Sequence, residues 1–137
     1  MHEYSVALRI SGVELDPAEI TARLGLTPTQ VRIAGQPRPG GTCVWDEAMW
    51  EYEVWPEGRT PWSSLEEGLT TILSVFQPLN GLLRQYQKSF HVFLWCGHFS
   101  SSFCGGPTFS SSLLKQLGDF GIELCLDTYS SDESKAE

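Results

Sequence analysis

Positive charge is scarce in this chain. Nine lysines and arginines stand against 17 aspartates and glutamates, for a formal net charge of −8. Binding to a phosphate backbone needs Lys and Arg clustered on one face, so general affinity for nucleic acid is not expected. Charge of either sign is thin as well, at 19% of residues against a usual share of about 25%. Apolar residues reach 41%, which excludes disorder over the whole chain.

Long apolar runs are also missing. The longest near the centre, Phe93-Leu94-Trp95-Cys96, falls far short of the roughly 20 residues of a membrane helix. The opening Met1-His2-Glu3-Tyr4-Ser5-Val6 lacks the basic start and apolar run of a secretory signal. These absences set the expectation of a cytoplasmic protein without membrane contact. In that compartment Cys43, Cys96, Cys104 and Cys125 are expected to be reduced thiols, not two disulfides. The P-loop, dinucleotide-binding, nucleophile-elbow, zincin and EF-hand patterns are all absent, and no cofactor is expected.

The 137 residues fit one domain of about 100–150 residues. It is expected over residues 1–129, with 130–137 as a polar, acidic, disordered tail. Along residues 4–11, Tyr4, Val6, Leu8 and Ile10 alternate with Ser5, Ala7, Arg9 and Ser11, the pattern of a half-buried antiparallel strand. Asp16 before Pro17, with Glu19 three residues after Asp16, predicts a capped helix stapled by Leu15 and Ile20 and stopped by Gly25. Residues 30–34 predict a brief strand. The Gly- and Pro-rich stretch 35–41 predicts an exposed loop, and Arg32 and Arg38 make this the one locally basic region.

Residues 42–45 and 50–55 predict a hairpin joined at 46–49. Ser63 or Ser64, with Glu66 and Glu67, opens a helix whose buried stripe is Leu65, Leu69, Ile72, Leu73 and Phe76. Pro78 and Gly81 break it, and Leu82, Leu83 and Tyr86 continue a second piece. A central strand over 90–96, a Gly- and Ser-rich loop over 97–108, a helix carrying Leu113, Leu114 and Leu117, and a strand with Ile122, Leu124 and Leu126 complete the order. The predicted class is α+β: a two-layer sandwich with helices on one face of a mainly antiparallel sheet, a ferredoxin-like core extended by one α-β unit.

The segment from Tyr4 to Gly12, with Leu15-Asp16-Pro17-Ala18-Glu19-Ile20-Thr21 and Leu24-Gly25-Leu26-Thr27-Pro28, resembles the start of the bacterial domain-of-unknown-function family 4279. Trp45, Trp62, Gly121-Ile122-Glu123-Leu124 and Leu126-Asp127-Thr128-Tyr129 are similar to that family too. The resemblance implies a small cytoplasmic single-domain bacterial protein without assigned activity, and it carries over no catalytic residues. Immunity proteins, which bind toxins, supply an analogy for small acidic proteins of this kind.

Residues 43–62 hold Trp45, Trp50, Trp55 and Trp62 together with Asp46, Glu47, Glu51, Glu53 and Glu57. Alternation places Trp50, Tyr52 and Val54 on the core side, leaving Glu51, Glu53 and Trp55 on the other. The leading expectation is therefore a non-catalytic interaction domain for a basic protein partner, with Trp55, Glu51, Glu53, Trp62 and Trp45 as its surface. Against it stands the plainer reading of a half-buried hairpin with a solvated outer face. Acid–base work by Glu51 and Glu53 is disfavoured, since an exposed strand offers no apolar pocket to hold one carboxyl protonated.

The alternative is a small-molecule or carbohydrate-binding domain, or a hydrolase, with its pocket near residues 97–108. Cys104, His98 and Cys96 are its candidate residues, with spacings that match no zinc pattern and more readily describe buried thiols and a satisfied histidine. Oligomeric state is left open between monomer and homodimer.

Overall fold

The computed structural model describes residues 2–58, 60–100 and 105–130. Its strands are β1 (His2–Gly12), β2 (Gln30–Arg32), β3 (Ala48–Val54), β4 (His91–Ser100) and β5 (Glu123–Ser130). Its α-helices are α1 (Pro17–Leu24), α2 (Leu65–Phe76), α3 (Asn80–Gln87) and α4 (Ser111–Phe120). One five-stranded sheet has the order β2-β3-β1-β4-β5. The β2–β3, β3–β1 and β1–β4 pairs are antiparallel, and β4–β5 is parallel. The first four strands with α1 to α3 form the ferredoxin-like unit, and α4-β5 is the added crossover.

The helix signals are realised almost residue by residue. The Asp16 carboxylate accepts the Ala18 amide at 3.1 Å, and Gly25 closes α1 at φ 70°. The expected capping box does not close: Glu19 instead accepts the Tyr86 hydroxyl at 3.4 Å and pairs with Arg23 at 3.6 Å. Ser64 caps α2 by accepting the Glu67 amide at 3.2 Å, while Glu67 accepts the Ser63 amide at 3.1 Å. Glu66 instead holds the start of α4, accepting the Ser110 amide at 2.6 Å and its hydroxyl at 2.8 Å.

All four helices cover the sheet face that carries Val6, Leu8 and Ile10 of β1, Trp50 and Val54 of β3, and Leu94 and Cys96 of β4. Trp50 is fully buried, and its indole N–H donates to the Thr21 hydroxyl at 3.1 Å. The opposite face bears no helix. Among the described residues, no helix is long and apolar enough to cross a membrane.

Several boundaries differ from expectation, among them Ser130, expected in the tail but part of β5. Residues 42–45 are not a strand: Val44 makes only an isolated bridge to Pro37, and the hairpin partner of β3 is β2. Ala48 and Met49, expected in the turn, belong to β3 because they pair with Gly12 and Ser11 of β1 and are buried there. Likewise β4 runs on to Ser100, so residues 97–100 are ladder and not loop. Their alternation continues that of β1, to which they pair as far as His2.

Candidate functional site

Strand β3 is followed immediately by the most exposed tryptophan described. Val54 is the last ladder residue, and Trp55 stands 63% exposed beyond it. Three clefts, of about 400, 580 and 470 Å³, all include Trp55 in their walls. Glu53 lines the first two, Glu3 the first, and Glu57 and Glu67 the third. Among the described residues, no Lys or Arg lines any of the three. Trp62 forms a wall of two of them but is itself buried against α2.

Glu51 does not belong to this surface. It is only 5% exposed and is held by Arg9, whose Nε donates to its Oε1 at 2.6 Å. The reason is register, since Arg9 and Glu51 are direct cross-strand partners on the helix-free face. The same guanidinium lies 4.5 Å from the centre of the Trp95 ring, and the Trp95 indole donates to Asp127 at 2.6 Å. A chain of contacts thus crosses four strands from Glu51 to Asp127. With Arg9 committed to Glu51, Glu53 makes no ion pair among the described residues. Partial burial, and then the nearby Glu51 charge, push its carboxyl above the ordinary carboxylate range.

Trp45 is also separated from Trp55. It precedes β3 while Trp55 follows it, so the length of the strand, roughly 20 Å at about 3.4 Å per residue, lies between them. Trp45 is half-buried beneath Arg32 and Arg38, whose guanidiniums lie 4.1 and 4.8 Å from its ring centre. The five residues expected to share one patch therefore divide: Trp55, Glu53 and the inner wall Trp62 at one end of β3, Trp45 at the other, and Glu51 sealed between.

Of the alternative set, Cys104 lies outside the described residues. Cys96 faces the core with its thiol pushed up to about 12 by burial, so it supplies no thiolate near neutral pH. His98 is buried at the same end of β4, where its Nε2 lies 2.8 Å from His2 Nδ1 and its ring stacks on Tyr4. Burial and the neighbouring imidazole hold its pKa below the usual histidine value. Among the described residues, no three metal-ligating side chains converge.

Sequence reasoning missed Glu3 and Arg9. Glu3 reaches the Trp55 clefts only because β1 lies next to β3, and Arg9 neutralises Glu51 only through the cross-strand register. The outward position of Arg9 in β1 was legible and its partner was not; Glu3 lay outside the expected strand, which began at Tyr4.

No curated protein and no solved structure matches the chain. The motif at β1 and α1, the tryptophan before α2 and the closing strand β5 all fall within one family match over residues 2–131, and the chain belongs to that family, described as Domain of unknown function (DUF4279).

Proposed function

We propose that this domain is a non-catalytic recognition module that binds a basic, Lys- or Arg-rich segment of a protein partner around Trp55. The carrying observation is the exposed Trp55 indole among clefts edged by Glu3, Glu53 and Glu57, with no basic side chain lining them among the described residues. An accessible aromatic ring on a rigid strand end is a good anchor, since little side-chain freedom is lost when it is covered. These carboxylates, none of which makes an ion pair among the described residues, supply charge complementarity, and the net charge of −8 steers a basic partner toward encounter. The carboxyl pKa of Glu53 is raised first by partial burial and then by the Glu51 charge, and a cation placed beside it would favour its charged form, which fits the same reading.

The test is titration of a lysine-rich peptide containing one leucine into the whole chain, followed by calorimetry at low and high salt. Binding is expected to weaken as salt rises, and Trp55→Ala is expected to cost roughly tenfold or more in affinity. Glu53→Gln is expected to reduce both affinity and its salt dependence. Affinity untouched by Trp55→Ala overturns the proposal. Salt-independent binding of a neutral oligosaccharide at the same indole, with no peptide binding, would replace it by the carbohydrate reading.

A further inference from the structure

We infer that the opposite end of the helix-free sheet face holds a second site, a cleft of about 360 Å³ that binds a small carboxylate-bearing ligand between Arg32, Arg38 and the apolar wall of Met49 and Phe93. Arg9, Arg32 and Arg38 all line this one cleft, in a chain that has only nine Lys and Arg and carries a net −8. Arg9 is neutralised by Glu51. Neither Arg32 nor Arg38 makes an ion pair among the described residues, although both are held against Trp45. The Nε of Arg32 is sealed from solvent without an acceptor, a state that is costly for so strong a donor. Burial first, and then the charges of Arg9 and Arg38, oppose protonation of Arg32, while Glu51 favours it, so a carboxylate placed against the Arg32 guanidinium adds the partner its sealed Nε lacks.

The cluster is built in place by the Gly- and Pro-rich loop. Gly35 donates to the Trp45 carbonyl, Trp45 to the Gln36 carbonyl and Arg38 to the Cys43 carbonyl, each at 2.9 Å. With the Pro37–Val44 bridge, these bonds clip the loop into a small closed ladder that presents Trp45 and Arg38 together. Both guanidiniums are thereby pre-positioned, and less freedom is lost when a ligand engages them.

The chemistry of the rim selects the ligand. A planar guanidinium fork matches a carboxylate bidentately. Asp46 and Glu47 stand exposed at the edge of the same cleft, and their charge disfavours a phosphate dianion relative to a monoanion. His91 also lines the cleft, but its imidazole is taken by Glu123 at 3.2 Å. Met49 and Phe93 give the ligand's body an apolar surface, and the volume lies at the small end of the range for small-molecule sites. An aromatic or short aliphatic carboxylate satisfies all of these conditions.

Benzoate and inorganic phosphate, titrated separately into the whole isotope-labelled chain, supply the probe, with the arginine Nε–H signals as the readout. Benzoate is expected to shift the Arg32 and Arg38 signals saturably, at lower concentration than phosphate does. Arg38→Gln, which breaks no side-chain hydrogen bond or ion pair among the described residues, is expected to weaken benzoate about tenfold, and Arg38→Lys nearly as much because the fork is lost. Tighter binding of phosphate than of benzoate overturns the carboxylate assignment. Benzoate affinity unchanged by Arg38→Gln, or no saturation below about 10 mM, overturns the site itself.

Discussion

Gly68 lies in the middle of α2, where alanine ordinarily stabilises a helix by about 0.8–1.0 kcal/mol over glycine. Here the sign is expected to reverse. A Cβ on Gly68 falls 2.7 Å from Val6 Cγ2, and 3.2 and 3.3 Å from Cε2 and Nε1 of the Trp62 indole. Both neighbours are core residues and cannot swing into solvent. Forcing an extra methyl into such a contact costs about 1–3 kcal/mol. Setting that cost against the helix gain leaves Gly68→Ala less stable by roughly 0–2 kcal/mol, centred near 1. Gly118 in α4 is the control, since an added Cβ there meets nothing within 4 Å. Gly118→Ala is therefore expected to stabilise by about 0.4–1 kcal/mol. Urea unfolding followed by circular dichroism measures both, and a thermal melt should move by about 3–5 °C for each kcal/mol. Equal stabilisation by the two substitutions would refute the close approach of α2 to β1 and Trp62, and with it the account of how Trp62 is held behind the Trp55 clefts.

Glu51→Gln is expected to destabilise the fold by about 2–3 kcal/mol in the same assay. That is less than the 3–5 kcal/mol typical of breaking a fully buried pair, because Arg9 keeps some solvent access; a loss of only a few tenths would mean the pair is a surface one. A short iodoacetamide pulse at pH 8, mapped by mass spectrometry, is expected to label exposed Cys43 and spare Cys96, whose thiol is buried and pushed up to about 12. Rapid labelling of Cys96 in the folded protein would contradict the packing of β4 against the helices.

Much of the architecture is legible in the sequence, because its signals are local. Period-two alternation marked β1, and Asp16-Pro17 and Ser64 with Glu67 marked two helix starts through hydrogen bonds made within a few residues. The basic character of the stretch around Arg32 and Arg38 was equally plain. Residues 42–45 failed as a strand because pairing depends on a distant edge, and that edge was taken by β2.

The fate of the acidic tryptophan-rich region was settled only in three dimensions. Alternation put Glu51 and Glu53 on the same face with equal standing, yet cross-strand register gave Arg9 to Glu51 and left Glu53 without an ion pair among the described residues. Exposure of Trp55 follows from where the ladder stops, at Val54. The meeting of Arg32, Arg38 and Trp45 with Arg9 requires a loop to close back beside β1, bringing together residues far apart along the chain. Neighbour-to-neighbour chemistry writes itself into sequence spacing; contacts between strands depend on how the whole sheet is ordered, and no spacing records that.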